Sequence, residues 1–246
     1  EWGYINARGE MVIAPRFAYA GDFADGLAAV SWGPRCFPTA TPMVCKTGFI
    51  NRSGKTVITV DALNSRIISS FYNNRAAVQV WDENNSKFTT GFINRKGEWV
   101  ISPMYTNPAR FSEGLAAVNE NEDCFDNIAN CSYKYIDENG KTVIKAPFIQ
   151  AGPFREGKAV VKRCTSVDRE KGFLYDCRWL LIDKNQNEVL LDRQVADVHP
   201  PYISDGYLTV TFGDRPLGEP DKGVIDSNGA IIVGPRFCDV RPFKNG

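Results

Sequence analysis

The sequence lacks long apolar runs and an excess of either charge. No stretch approaches the ~18 consecutive apolar residues that a membrane span requires, so we expect no membrane insertion. Lysine plus arginine and aspartate plus glutamate are equal, at 29 each. A nucleic-acid binder normally carries a basic excess, so this balance argues against a nucleic-acid partner.

Histidine is almost absent as well, which limits the chemistry that the chain can perform. The one histidine, His199, precedes two prolines in a predicted loop. This argues against a Ser-His-Asp or Cys-His site, and no Cys-x-x-Cys pair offers zinc spacing. Acidic clusters at 82–83 and 120–123 could act as paired carboxylates, but they fall at predicted hairpin tips, where such residues are normally solvated. We therefore expect no enzyme activity, no cofactor and no metal site, and a hydrolase is the least favoured interpretation.

One short motif occurs six times along the chain. It starts as Gly3-Tyr4-Ile5-Asn6, and the later copies follow at steps of 43 to 46 residues. Chance does not hold such a period over five steps, so the sequence indicates a repeat protein. The six copies are anchored near Gly3, Gly48, Gly91, Lys134, Leu180 and Gly223.

Each copy predicts three β-strands. The first is an aromatic-Ile strand that ends in Asn or Asp, with Gly three positions later, as in Asn6 and Gly9, a pattern typical of a tight turn. Copy five has Gln186 in place of this Gly, so we expect a longer or irregular turn there. A β-branched strand follows. The third strand is rich in small residues and comes after a left-handed Gly, which copy two replaces with Asn74.

The predicted fold is all-β, with six tandem three-stranded antiparallel meanders in a single domain, residues 1–246. One such unit cannot bury its apolar face alone, so neighbouring units must stack. We expect an open curved array, because propeller blades usually have four strands, and a closed propeller-like ring is the alternative. The aromatic side chains expected to form a continuous core are Phe23, Phe71, Phe111, Phe154, Tyr202 and Phe243.

The motif resembles the WG-repeat (KWG-repeat) proteins of bacteria. The resemblance covers essentially the whole chain. It rests on an ordered series of short motifs, which are Trp-Gly, an aromatic-Ile-Asn/Asp strand, a Gly three positions later, Val-Ile, Pro, and finally Phe-x-x-Gly-Leu-Ala-x-Val. Only copy one keeps the Trp2-Gly3 pair, and Thr47 and Thr90 stand in for the Trp in the next two copies. The resemblance implies a β-repeat scaffold, often in envelope or secreted contexts, for which binding is the usual function. It brings no catalytic residues with it.

Seven cysteines form three close pairs and one single residue. Each pair falls between a small-residue strand and the next aromatic-Ile strand, where a hairpin can bring two Cα atoms within the ~4.4–6.8 Å that a disulfide needs. We expect three disulfides and hence a periplasmic or secreted protein, with reduced cysteines as the alternative. Cys238 aligns with Ala18 and is expected to be a buried free thiol. The predicted pairs are Cys36–Cys45, Cys124–Cys131 and Cys164–Cys177.

The connections between copies differ most in length and composition. In repeat proteins such insertions cluster on one face, which is often the binding face, and aromatic and Arg residues are enriched at protein interfaces. We expect a non-catalytic extracytoplasmic scaffold that binds a protein, for example an adaptor or an immunity-type inhibitor of an enzyme or toxin. The alternative is a glycan or cell-wall binding module that stacks sugars on Trp32, Trp81 or Trp179. The candidate partner-binding residues are Trp32, Arg35, Phe37, Trp81, Phe125, Phe212 and Arg215.

Overall fold

The computed structural model describes residues 1–33, 46–60, 65–67, 69–82, 87–106, 108, 110–121, 124, 126–213 and 221–243. These residues form antiparallel β-strands and a short 3-10 helix at Ile128–Asn130, and they contain no α-helix. The prediction of an all-β protein is confirmed. No helix in the described part of the chain is long and apolar enough to cross a membrane.

The first of two compact units comprises Glu1–Phe111 with Glu138–Gly140 and contains three sheets. Each sheet is a meander of strands that follow one another in the chain. The first sheet pairs β1 (Trp2–Ile5) with β2 (Met11–Phe17). The second contains β3 (Tyr19–Ala20), β4 (Leu27–Trp32), β5 (Lys46–Asn51) and β6 (Thr56–Val60). The third contains β7 (Ser65–Ile67), β8 (Ala76–Asp82), β9 (Lys87–Ile93) and β10 (Trp99–Tyr105).

The second unit comprises Ser112–Asp137 with Lys141–Gly246 and also contains three meander sheets. The fourth sheet has three strands, β11 (Leu115–Val118), β12 (Tyr133–Asp137) and β13 (Thr142–Phe148). The fifth has β14 (Gln150–Ala151), β15 (Lys158–Asp168), β16 (Phe173–Asp183) and β17 (Glu188–Leu190). The sixth has β18 (Val195–Val198), β19 (Tyr207–Phe212), β20 (Lys222–Asp226) and β21 (Ile231–Phe237).

The prediction of three strands per unit is wrong for four of the six sheets, which have four strands each. The additional strand is short, as in Tyr19–Ala20 and Gln150–Ala151, and two residues are too few to show a period-two pattern. The sheets are also out of phase with the sequence copies. Each four-stranded sheet takes its first two strands from one copy and its last two from the next.

The Gly of the Trp-Gly motif is explained by a close approach of two strands. A Cβ on Gly48 would lie 2.3 Å from the carbonyl oxygen of Ile58, and one on Gly91 would lie 2.4 Å from that of Ile101. The β9–β10 register shifts across Gly91, and the β5–β6 register shifts between Phe49 and Ile50, as is typical of a β-bulge. No side chain fits at Gly48 or Gly91, so these two glycines are a packing requirement and not a ligand site.

The turn in copy five keeps the length of the others, contrary to the expectation for Gln186. The Gln186 N–H donates to the Asp183 carbonyl over 3.0 Å, as the Gly9 N–H does to Asn6. Gln186 adopts φ +66, in the left-handed region that Gly9 occupies at φ +81. Hydrogen bonds from Asn187 to the Asp183 carboxylate lower the pKa of that side chain, and they hold the turn closed around an unfavourable residue.

The second sheet buries its two faces against two different neighbours. In the second sheet, Ile50 clusters with Ile13 of the first sheet, whereas Phe49 clusters with Ile93 of the third. The same alternation joins the fifth and sixth sheets. We call the two alternating places the aromatic position (Tyr4, Phe49, Phe92, Tyr135, Leu181 and Val224) and the Ile position (Ile5, Ile50, Ile93, Ile136, Ile182 and Ile225).

A second aromatic side chain covers the aromatic position in four copies. Its ring centroid lies 4.7 to 5.0 Å from that of Tyr4, Phe49, Phe92 or Tyr135, in tilted or edge-on contact. The Tyr4 and Tyr135 hydroxyls donate to backbone carbonyls, and burial raises the pKa of both phenols, that of Tyr4 to about 12. Of the predicted core aromatics, Phe71, Phe111 and Phe154 are buried, and Phe23, Tyr202 and Phe243 are half-buried.

Two of the three predicted disulfides are confirmed. Cys124 bonds to Cys131 and Cys164 bonds to Cys177, with the second pair facing each other directly across β15 and β16. The predicted Cys36–Cys45 pair lies outside the described residues. Cys238 is a free thiol but is exposed, so the expectation of a buried thiol is wrong.

Exchanging residues between two turns tests the strain at Gln186. We expect Gln186→Gly to stabilise the protein by about 0.5–1 kcal/mol, because Gly adopts positive φ without a Cβ clash. The reverse change, Gly9→Gln, meets no atom within 4 Å of the new Cβ and should destabilise by a similar amount through the backbone alone. Chemical denaturation measures the free energy of unfolding of both variants. If both substitutions changed it in the same direction, the interpretation would be contradicted.

Removing one disulfide should loosen one hairpin. Residues 163–178 pair only with each other beyond the four-stranded part of the fifth sheet. In Cys164→Ala/Cys177→Ala we therefore expect faster amide exchange in this stretch, with a stability loss of roughly 2–3 kcal/mol. Cys238→Ala is the control and should leave exchange unchanged.

Thiol titration in denaturant tests the full set of disulfides. We expect one free thiol per chain, that of Cys238, if Cys36 and Cys45 are also bonded as the sequence predicts. Three free thiols would show that the first pair is reduced, and more would contradict the disulfides seen here.

Candidate functional site

The predicted binding residues fall into three groups. Trp32 is half-buried and Trp81 is partly exposed, at 37%. Phe212 is buried, at 3% exposure. The other four, Arg35, Phe37, Phe125 and Arg215, lie outside the described residues.

Trp32 lies beside a cavity of about 670 Å³ in the first unit. The Arg16 guanidinium donates to the Gly54 carbonyl at this place, which ties β2 to the turn after β5. The cavity is a cleft between two stacked sheets, and half of its lining is turn residues. The residues around it are Arg16, Phe17, Trp32, Gly33, Ser53, Gly54, Lys55 and Thr56.

Trp81 faces Phe88 across the β8–β9 hairpin. Their ring centroids are 4.8 Å apart and the ring planes make an angle of 67°. Phe88 is 43% exposed, so the two rings present an apolar patch of modest size on one side of the hairpin. The rings are not coplanar, and they do not form the flat platform on which a sugar chain stacks.

Phe212 and Trp179 are core residues. Both are 3% exposed and belong to the apolar cluster that joins the fifth and sixth sheets. The Trp179 indole N–H donates to the Ala196 carbonyl over 3.0 Å, which satisfies its one polar atom inside the core. The side chains of Phe212, on β19, and Trp179, on β16, therefore lie in the core between the two sheets. Phe212 is not available to a protein partner, and Trp179 is not available to a sugar.

The most prominent surface feature of the second unit is a hairpin that continues beyond its sheet. β15 and β16 have eleven residues each, whereas β19 and β20 of the next sheet have six and five. β14 pairs with β15 only at Val161 and Lys162, and β17 pairs with β16 only at 180–182. The remaining ribbon, residues 163–178, is closed by the Cys164–Cys177 disulfide. We call it the disulfide arm.

The disulfide arm exposes two aromatic side chains. Phe173 is 56% exposed and Tyr175 is 49% exposed, and their ring centroids are 6.5 Å apart at an angle of 62°. Isolated two-stranded hairpins are marginally stable in water, so a disulfide is needed to hold such residues in place. Sequence reasoning missed both aromatics, although their position between two paired cysteines was a usable signal.

The tip of the disulfide arm meets the loop closed by Cys124 and Cys131. A Cβ on Gly172 would lie 3.0 Å from the side-chain amide nitrogen of Asn127. Ile128, the residue after Asn127, is 39% exposed, and Phe173 follows Gly172. Two disulfide-bonded segments from successive copies thus meet, and each carries an exposed apolar side chain next to the contact.

A second cavity, of about 520 Å³, lies at the base of the Cys124–Cys131 loop. The Asn119 side chain organises this base, since it donates to the Asn121 carbonyl and accepts from the Ser132 N–H. Lys134 forms an ion pair with Glu120 at 2.5 Å. The lining residues are Asn119, Glu120, Asn121, Ser132, Tyr133, Lys134, Lys145 and Pro147.

Ionisable groups in the described residues do not gather into a metal site, since no group of three His, Cys, Asp or Glu side chains has the geometry to hold an ion. His199 bonds to the Asp197 carboxylate at 2.5 Å, and its side chain is 70% exposed. This pair lies on the surface at the edge of a cavity of about 190 Å³. A hydrogen-bonded Asp–His pair can transfer protons, but a reaction also requires a nucleophile and a substrate pocket.

Four stretches of the chain match the family model described as WG containing repeat, namely residues 2–31, 91–122, 135–163 and 223–246. No curated protein matches the sequence. Among solved structures, the chain is similar to apo AztD from Citrobacter koseri, with 14% identity and a TM-score of 0.42. The alignment covers 92% of this chain and 60% of that protein. The family matches coincide with copies one, three, four and six, so these four copies are WG-containing repeats.

Proposed function

We propose that this protein is a non-catalytic scaffold that binds a protein partner through the disulfide arm and the adjoining Cys124–Cys131 loop. The observation that carries the proposal is the exposure of Phe173 and Tyr175 on a disulfide-bonded ribbon. Adjacent exposed apolar side chains that are surrounded by polar residues often mark an interaction site. Held rigidly, they lose little conformational entropy on binding, which favours affinity.

The composition of this surface suits a protein better than a glycan. Aromatic residues at the centre of a mixed polar patch are typical of protein interfaces. A sugar-binding strip needs exposed rings that share a plane, and the Phe173 and Tyr175 rings are inclined by 62°. The Trp81 and Phe88 rings are inclined by 67°. A glycan or cell-wall module is therefore the second candidate, and a hydrolase is the third.

Charge on the disulfide arm does not favour one sign of partner surface. Residues 163–178 contain four basic and three acidic residues. Arg163 pairs with Glu188 and Lys171 lies 3.8 Å from Asp168, so most of this charge is compensated locally. We therefore expect the two aromatic side chains to supply most of the binding free energy. Added salt, which screens exposed charges, should then change the affinity little.

The disulfides support an extracytoplasmic location, periplasmic or secreted, because such bonds persist in oxidising compartments. An adaptor or an immunity-type inhibitor of an enzyme or toxin fits a rigid scaffold of this kind. We further propose that all six predicted copies belong to one continuous array that is open and curved, with a propeller-like ring as the alternative. Neither proposal requires a cofactor.

A paired set of variants tests the binding surface. We expect wild-type protein, immobilised and exposed to periplasmic and secreted fractions of the bacterium that makes it, to retain one protein in stoichiometric amount. Phe173→Ser/Tyr175→Ser should reduce the affinity at least tenfold, because aromatic anchors at interface centres are worth about 2 kcal/mol or more each. Affinity should change little as salt rises from 50 to 500 mM, because the arm carries little uncompensated charge.

Leu190→Ser provides the matched control. Leu190 is 54% exposed and lies on β17 of the same sheet, where it faces Leu180 and not the part of the ribbon that carries Phe173 and Tyr175. Its replacement should leave the affinity unchanged. Equal loss in both variants would show that the arm is not the binding surface, and recovery of peptidoglycan fragments without a stoichiometric protein would favour the glycan alternative.

A further inference from the structure

The two disulfides of the second unit differ in how far they are covered. We call Cys124–Cys131 the loop disulfide and Cys164–Cys177 the arm disulfide. The loop cysteines are buried, at 8% and 4% exposure, and the Tyr133 hydroxyl lies 4.0 Å from the Cys124 sulfur. The arm cysteines are half-buried, on a ribbon that has no paired strand on either edge in the described part of the chain. Because thiol–disulfide exchange requires a thiolate to reach a sulfur atom, an external thiol reaches the arm disulfide more readily.

The strand pair beside the arm disulfide opposes two like charges. Arg163 and Arg178 face each other directly across β15 and β16, one residue from the cysteines, and such a pair is destabilising. Both guanidinium groups bind outside the arm, Arg163 to Glu188 and Arg178 to the Leu191 carbonyl. They therefore hold the base of the arm to its sheet and not the two strands of the arm to each other.

The backbone on the other side of the arm disulfide is irregular. Asp176 immediately precedes the second cysteine and has φ +45, in the left-handed region that residues other than Gly rarely adopt. The pairing of β15 with β16 omits Thr165 and Asp176, and one side-chain hydrogen bond, from the Thr165 hydroxyl to the Tyr175 carbonyl, spans this place. The arm disulfide thus crosses the ribbon where its backbone pairing is least regular.

We propose that the arm disulfide is a redox switch for the disulfide arm. An external dithiol reduces it while the loop disulfide stays intact, and the arm then opens and no longer holds Phe173 and Tyr175 in a fixed place. Isolated two-stranded ribbons are marginally stable in water, so the opposed arginines and the irregular backbone leave the reduced arm with little to keep it paired. The consequence for binding rests on the function proposed for the arm, whereas reduction and opening do not.

The chemical step balances with a dithiol as the reductant. A thiolate of the dithiol attacks one sulfur of the arm disulfide, the S–S bond breaks, and a mixed disulfide and a cysteine thiolate are formed. The second thiol of the dithiol then attacks the mixed disulfide and releases the other cysteine. Two electrons and two protons pass from the dithiol to the protein, which now holds two thiols, and the dithiol becomes a disulfide. Reoxidation reverses the step and closes the arm.

The loop that meets the tip of the arm does not depend on the arm disulfide. Its own disulfide is buried, and the Asn127 side chain accepts a hydrogen bond from the Ala129 N–H over 2.9 Å within the loop. Gly172, at the arm tip, meets Asn127. Opening of the arm breaks this contact and separates the two segments that carry the exposed apolar side chains. The switch therefore acts on the whole proposed binding surface and not on Phe173 alone.

Differential alkylation tests the selectivity of reduction. The protein carries Cys238→Ala, because the exposed Cys238 thiol would also exchange with disulfides. It is treated under native conditions with rising concentrations of dithiothreitol and alkylated rapidly, and peptide mass spectrometry assigns each label to its cysteine. We expect Cys164 and Cys177 to be labelled at least about tenfold faster than Cys124 and Cys131. Equal rates, or faster labelling of the loop cysteines, would overturn the proposal.

Amide hydrogen exchange tests the opening with no partner present. At a dithiothreitol concentration that reduces the arm disulfide and not the loop disulfide, we expect exchange in residues 163–178 to become at least about tenfold faster. Residues 158–162 and 179–183, in the four-stranded part of the same sheet, are the internal control and should not change. Cys164→Ala/Cys177→Ala should match the reduced protein without dithiothreitol. Unchanged exchange in the reduced arm would overturn the proposal, because the ribbon would then stay closed without its cross-link.

Binding separates the switch from the proposed function. If the oxidised protein retains a partner, the same dithiothreitol concentration should lower the affinity at least about tenfold, and reoxidation should restore it. Cys164→Ala/Cys177→Ala should bind as weakly with dithiothreitol as without it. If the oxidised protein retains no partner, the function proposed for the arm fails, while labelling and exchange still decide the switch. Equal affinity of the oxidised protein and of the reduced, open protein would overturn the regulation of binding.

Discussion

The structure depends on one constraint, which is that a sheet of three or four short strands cannot bury either face by itself. The second sheet therefore uses its Ile position against one neighbour and its aromatic position against the other, as Ile50 and Phe49 do. Burial of such side chains is worth roughly 1.5–3 kcal/mol each. The stack thus fixes the residues of the strand centres and leaves the hairpins beyond the sheets free to vary.

That freedom explains why the disulfides lie where they do. Beyond the four-stranded part of the fifth sheet, the hairpin has no paired strand on either edge, and Phe173 and Tyr175 remain about half exposed. The Cys164–Cys177 bond replaces the missing packing by restricting the unfolded states of the ribbon. The contact between Gly172 and Asn127 then joins this ribbon to the preceding disulfide loop. Two local cross-links can in this way form a surface larger than either hairpin.

Sequence periodicity predicts the parts of the fold that repeat in every copy. It does not predict strand pairing or burial that depends on a tertiary contact. The repeat, the turns and the bonds of Cys124 and Cys164 could be predicted because each depends on residues within one copy. The short strand at Tyr19–Ala20 could not, since its pairing with β4 leaves no pattern in two residues. Phe212 was misjudged because its burial comes from the adjacent sheet. Phe173 was missed because the exposure of a side chain depends on how the sheets pack, which the repeat pattern of the sequence does not show.

Departures from the repeat are therefore more informative about function than the repeat itself. A residue that follows the pattern has a structural reason to be present, as the Gly of the Trp-Gly motif has. Phe173 departs from the pattern, since no repeat position requires it and a disulfide nevertheless holds the ribbon that carries it in place. It combines apolar surface with a defined backbone, and this combination lets a chain bind a partner without losing much conformational entropy.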